Sequence, residues 1–149
     1  MAGRFVFYVL VGLHVACALV GFGSVALSGV YGFLAVQGDS HEELARYFAS
    51  PSRLEWLVLA VPFLGAGAAA ADPHGHGVVQ LWTGLAAVVW LVAAALLLGV
   101  VRPAERSLRA GTASGALPDP ASGRRLGWAG VASDVAFLVA LQLMIWQPR

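Results

Sequence analysis

Residues 78–101 read VVQLWTGLAAVVWLVAAALLLGVV, and the segment RPAER (102–106) follows at once. A helix needs about 20 mostly apolar residues to cross the hydrocarbon of a bilayer, and this stretch supplies them without a single charge before arginine marks the exit. Three other stretches have the same character: Phe5 to Val36, Leu54 to Ala71 and Leu126 to Trp146. The expected fold is therefore an all-α membrane protein, one transmembrane domain over residues 1–149, built as an antiparallel bundle of four transmembrane helices at about 5–36, 54–71, 78–101 and 126–146. The first stretch exceeds the bilayer thickness, so its helix must tilt or run on beyond one surface, near Tyr31 to Val36.

Composition excludes the alternatives. Of 149 residues, 59% are hydrophobic and 11% charged, with a mean hydropathy of +0.78. Ordinary soluble domains carry roughly 25% charged residues, which leaves this pool too poor for an aqueous surface. The net charge of +1 comes from nine basic residues, all arginine, against eight acids, and no basic stripe for nucleic acid exists. Cys17, the single cysteine, lies within an apolar run and has no disulfide partner in the chain. Soluble-enzyme signatures are absent: there is no phosphate-cradling glycine loop, no nucleophile elbow and no CxxC.

The breaks between stretches carry turn chemistry: Gly38-Asp39-Ser40, then Asp72-Pro73-His74-Gly75-His76-Gly77, then a Gly/Ala/Pro/Ser stretch from Gly111 to Gly123 that reads as a flexible loop. Arginine counts set the orientation, because short loops rich in positive charge stay in the cytoplasm. One side holds Arg46, Arg53, Arg102, Arg106, Arg109, Arg124 and Arg125, and the other only Arg4 and Arg149. Both termini and the Asp72 to Gly77 turn are therefore expected outside a bacterial cytoplasmic membrane. A cleaved leader over Met1 to Ser28 is the competing reading, but it would put the arginine-rich 102–125 segment outside, against the charge rule. Trp56, Trp82, Trp128 and Trp146 mark stretch ends, where tryptophan favours the interface, and only Trp90 falls in mid-membrane.

Helices in lipid associate through small residues and interhelical hydrogen bonds. His14, Cys17, Gly21, Ser24 and Ser28 recur at steps of three and four and form one candidate inward stripe. Gly127, Gly130 and Asp134 form another, and Gln80, Thr83 and Ala87 a third. Pro62, with Gly65 and Gly67 beyond it, should kink or loosen the second helix. His14 and Asp134 both fall deep in apolar segments, at levels that let them meet, and ionisable groups there are the default functional candidates. We take them as a candidate pair; the alternative is that each is a simple interhelical hydrogen-bonding group. Heme in a bundle is commonly held by imidazoles from facing helices. With one deep histidine, a second ligand must come from His74, His76 or another copy of the chain. Asp72, His74 and His76 form a candidate metal site, since imidazole and carboxylate suit copper or zinc; a solvated polar turn is the plainer reading. Arg53 and Glu55 should pair with Arg46 or with the 102–106 segment, and the other arginines should meet lipid headgroups.

The order of Leu13-His14-Val15, Arg53-Leu54-Glu55-Trp56, Arg102-Pro103-Ala104-Glu105-Arg106-Ser107-Leu108, Ser133-Asp134 and Met144-Ile145-Trp146-Gln147-Pro148 resembles a bacterial family of small four-helix integral-membrane proteins of unknown function. That family looks related to the copper-resistance protein D group and to the HemJ-type protoporphyrinogen oxidases. The resemblance implies a heme or metal link through His14. Gly21-Phe22-Gly23-Ser24 stands where the aromatic stretch of the oxidases is expected, a departure from their pattern. The expected function is a non-enzymatic membrane protein, either self-associating or an accessory subunit of a larger membrane complex, embedded in the lipid bilayer. The alternatives are a heme b redox protein with His14 as ligand and Asp134 as its partner, and copper handling or transport through the Asp72 to His76 turn.

Overall fold

Nothing between Ala2 and Gln37 interrupts a helix by proline, and the whole run forms one helix, α1 (Ala2–Gln37). At 1.5 Å per residue its 36 residues reach about 54 Å, well beyond a hydrocarbon core of about 30 Å. The computed structural model describes residues 2–37, 41–49, 53–72, 81–115 and 119–146. After α1 come α2 (His41–Ala49), a 3₁₀ turn (Leu54–Trp56) and α3 (Leu57–Ala70). A continuous helical rod follows, made of α4 (Leu81–Leu96), a π-helical turn (Leu97–Val101) and α5 (Arg102–Ala113); α6 (Pro120–Trp146) closes the order. Every regular element among the described residues is helical.

Three helical stretches are long and apolar enough to cross a membrane: Gly3–Gln37, Leu81–Ala113 and Pro120–Trp146. A fourth qualifies only if the bent pair Glu42–Ala49 and Leu54–Ala70 is taken as one span. The second expected span is thus the short one: α3 alone has 14 residues, about 21 Å.

The expected loop from Gly111 to Gly123 is shorter at both ends than its sequence suggests, and residues 116–118 lie outside the described residues. α5 runs to Ala113, Gly115 turns the chain at φ +70°, and α6 has begun by Pro120. Proline needs no donor in a first helical turn, and Asp119 caps that turn, accepting from the amides of Ala121 (3.1 Å) and Ser122 (3.0 Å) and from the Ser122 hydroxyl (2.7 Å). The Ser122 hydroxyl first, and then the two amides, hold the Asp119 carboxyl below the usual carboxylate range.

α1 is the central element, packed antiparallel against α3 on one side and α6 on the other. The α1–α6 crossing is built on glycine. A Cβ on Gly29 would lie 2.9 Å from the Gly130 Cα, and one on Gly32 would lie 2.8 Å from the Gly123 carbonyl oxygen. Such backbone approach is how helices gain contact where lipid removes the hydrophobic drive. Farther along, Phe22 and Phe137 meet at 5.2 Å between ring centroids. The expected inward stripe on α1 therefore divides. His14 and Gly21 face α3 and Ser28 enters a polar cluster described below, while α6 takes Gly29 and Gly32, which that stripe did not contain. On the third helix Thr83 is half-buried but Ala87 is exposed, so that expected stripe does not turn inward as a unit; Gln80 lies outside the described residues.

The packed core gathers at the arginine-rich end, around Val25, Leu44, Phe48, Val58, Leu97, Val101, Leu108 and Leu126. Elsewhere the exterior is apolar: Phe5, Tyr8, Phe63, Leu138 and Ile145 are all more than half exposed. Contiguous apolar exterior on this scale fits a hydrocarbon solvent rather than water.

The glycine crossing sets a first expected outcome. Gly130→Val should destabilise the bundle by about 1–3 kcal/mol, the usual range for overpacking, as measured by reversible unfolding in mixed micelles. Gly84→Ala, where an added Cβ meets nothing within 4 Å, should be neutral or slightly stabilising.

Candidate functional site

The polar cluster is assembled from several elements at the arginine-rich end. Glu55, in the 3₁₀ turn before α3, is fully buried. Its Oε1 lies 2.8 Å from Nε of Arg102, the first residue of α5. The contact is an ion pair by distance, but its angle is poor for a hydrogen bond, and neither Glu55 oxygen has a hydrogen-bond partner among the described residues. The Arg102 guanidinium also stacks over the Trp56 ring, 4.2 Å from its centroid, in cation–π contact. Glu105 and Arg109 of α5 also act on Glu55 electrostatically, so two carboxylates and two guanidiniums share the site.

From Glu105 a directed hydrogen-bond chain leads outward. The Ser28 hydroxyl donates to Glu105 Oε1 at 2.5 Å. A serine hydroxyl has one proton, so Tyr47, 2.8 Å from the same oxygen, must donate its own proton to Ser28. Tyr47 in turn stacks on Tyr31, with centroids 3.9 Å apart and planes 13° from parallel. Arg109 Nε donates to the Phe48 carbonyl at 2.9 Å. That carbonyl lies in the last turn of α2, where C=O groups lack helical partners and cations are favoured. One cluster thus ties α1, α2, the 3₁₀ turn and α5 together.

A second polar device surrounds Pro62. Proline has no N–H, so the carbonyl four residues before it, Val58, loses its helical donor. Trp90 Nε1 of α4 donates to Val58 O instead, at 2.8 Å. On the other side of α3, His14 Nδ1 lies 2.8 Å from Val61 O, which makes Nδ1 the protonated nitrogen in this bond. The imidazole fits there because residue 65 is glycine; a Cβ would stand 2.9 Å from His14 Cε1. Trp90 and His14 both serve the proline turn, one from each neighbouring helix.

The sequence-derived candidates separate in the structure. No hydrogen bond or ion pair joins His14 to Asp134 among the described residues; His14 binds α3, and Asp134 is half-buried on α6. Asp72 follows the last turn of α3, its amide 3.4 Å from Ala69 O, while His74 and His76 lie outside the described residues. Among the described residues no group of three or more His, Cys, Asp or Glu side chains could hold a metal ion. The pairing of Glu55 with the 102–106 segment is found, at Arg102; the complete burial of the carboxylate was not anticipated. Arg46 instead pairs with Glu42, one helical turn away and exposed at 2.8 Å, a contact of small energetic weight.

Sequence reading also passed over Glu105, Tyr47 and Arg109. A signal existed: Leu97, Val101, Glu105 and Leu108 recur at helical spacing and all are buried, so Glu105 is the acid set in an apolar stripe. Leu44, Tyr47 and Phe48 mark α2 in the same way. Known protein families, curated proteins and solved structures yield no match to this chain. The fold and site define its class, an all-helical protein with three to four apolar helices of membrane-spanning length and a buried ionic cluster at one end.

Two double-mutant cycles test these devices. Glu55→Leu or Arg102→Leu alone should cost about 3–5 kcal/mol by stranding the other charge, and the double replacement should regain most of that loss. Trp90→Phe should cost about 1–3 kcal/mol by leaving Val58 O unpaired. In a Pro62→Ala background the Trp90→Phe penalty should shrink, because alanine at that position restores the missing N–H. Equal penalties in both backgrounds would refute the link between tryptophan and proline.

Proposed function

We propose that this protein is a structural component of a bacterial cytoplasmic membrane. It is a four-span antiparallel bundle with both termini outside, acting as a homo-oligomer or as an accessory subunit of a larger membrane complex. The observation that carries this reading is the use of the inward polar groups. Glu55 binds Arg102, Glu105 binds Ser28, Arg109 binds the α2 terminus and His14 binds the Pro62 turn. Each holds one helix to another. Intramembrane ionisable residues normally pair and face the interior, and here the pairs fasten helices. The excess of arginine at the end that carries α2, α5 and the start of α6 supports placing that end in the cytoplasm. The broad apolar exterior supplies the surface for lipid and for neighbouring helices.

The test uses protein purified in mild detergent. Light scattering coupled to size exclusion should find a defined oligomer or a stoichiometric co-purifying subunit. Oxidised and dithionite-reduced absorption spectra of the same sample should show no Soret band. A strictly monomeric protein without a partner would overturn the proposal. A Soret band lost in His14→Ala would replace it with heme binding at that residue.

A further inference from the structure

A groove of about 610 Å³ opens between the α4 to π-turn segment and α6. Its floor is apolar, formed by Leu96 and Val100 on one side and by Ala129 and Ala132 on the other, with Trp128 as a wall. Arg124 and Arg125 line its other end, toward the start of α6. From Arg125 to Ala132 the groove follows α6 for about 10 Å, so it is polar at one end and apolar along its length.

Four features determine what fits. First, both arginines are exposed, and no described carboxylate forms an ion pair with either; Asp119, which Arg125 influences only weakly, is committed to capping α6. Second, Trp128 is 65% exposed although it borders the groove, so its ring offers an unfilled apolar face next to the charges. Third, small Ala129 and Ala132 leave the space between α6 and the rod unfilled. Fourth, the π-helical turn carries Val100 in the groove wall and is followed at once by Arg102, so the groove borders the turn that leads into the ionic cluster. π-helical turns are rare and frequently mark functional sites. A polar end bearing two positive charges and an apolar trough beyond it match a molecule with an anionic head and a hydrocarbon tail. Basic pockets between membrane helices on the cytoplasmic side recognise such heads.

We propose that this groove is a binding site for an anionic glycerophospholipid. The phosphate lies between Arg124 and Arg125, and an acyl chain lies along Val100, Leu96, Ala129 and Ala132 beneath the Trp128 ring. The site is independent of the oligomeric role proposed above, since it requires only one copy of the chain.

The test is native mass spectrometry of the full chain exchanged from nanodiscs containing equal parts phosphatidylglycerol and phosphatidylcholine. The expected result is retention of phosphatidylglycerol over phosphatidylcholine. That preference should fall by roughly fivefold for each of Arg124→Gln and Arg125→Gln, the effect of about one interfacial charge. Ala132→Phe fills the trough and keeps both charges, so it should abolish retention. Arg106→Gln, an exposed arginine outside the groove, should leave the preference unchanged. The proposal is overturned if Arg106→Gln acts like Arg125→Gln, which would indicate general surface charge, or if Ala132→Phe retains the lipid. It is also overturned if sn-glycerol 3-phosphate competes as well as the whole lipid, which would indicate a soluble anion, or if Ala132→Phe changes oligomer size in lipid-free detergent, which would assign the groove to a second copy. Circular dichroism confirms that each variant is folded.

Discussion

The buried Glu55 carboxylate meets the Arg102 guanidinium at the end of the apolar stretches. Desolvating two charges is costly, and their attraction offsets that cost only when the surroundings hold them together. Those surroundings are present. Trp56 covers the guanidinium, Arg109 adds a second positive charge acting on Glu55, and the Tyr47, Ser28 and Glu105 chain fixes the position of α5 against α1. Apart from the hydrogen bonds at the Pro62 turn, the described helices elsewhere touch through small residues and aromatic edges that could slide; here opposite charges fix one register. A π-helical turn just before Arg102 adds a residue to the helix and sets which face α5 presents to Glu55.

The rest of the architecture follows from a need to satisfy the backbone away from water. Pro62 deprives one carbonyl of its donor in the middle of an apolar helix, and a helix surrounded by lipid has no water to replace it. Trp90 provides that donor from α4, and His14 adds a second bond from α1 to the same turn. A residue that would loosen an isolated helix thereby becomes the point at which three helices are joined. Gly65 is part of the same arrangement, since only a missing side chain admits the imidazole.

The role of the histidine changes accordingly. A lone imidazole at membrane depth suggests a ligand or a proton carrier, and its association with an aspartate on another helix was a fair expectation from level and spacing. The structure gives its Nδ1 proton to a backbone carbonyl of α3, while Asp134 is half-buried on α6. The densest polar chemistry lies elsewhere, at the arginine-rich end, on residues whose neighbours in sequence resemble an ordinary membrane boundary.

The sequence by itself determined the solvent and the secondary structure: apolar stretches of bilayer length, arginines crowded at one set of boundaries, and helical spacing throughout. These are local properties, carried by composition and by a period of 3.6 residues, and they need no knowledge of neighbours. It also offered the pairing of Glu55 with the 102–106 segment as one of two possibilities, the other being Arg46. Only the tertiary structure decided that this carboxylate is buried and that Gly29 and Gly32 rather than the stripe through Cys17 and Ser24 admit α6. Each of those outcomes depends on which face of one helix meets which face of another. Several small-residue stripes on α1 were equally able to pack in principle, and the choice among them was made by the buried charges and the proline turn, whose partners lie 32 to 77 residues away in the chain.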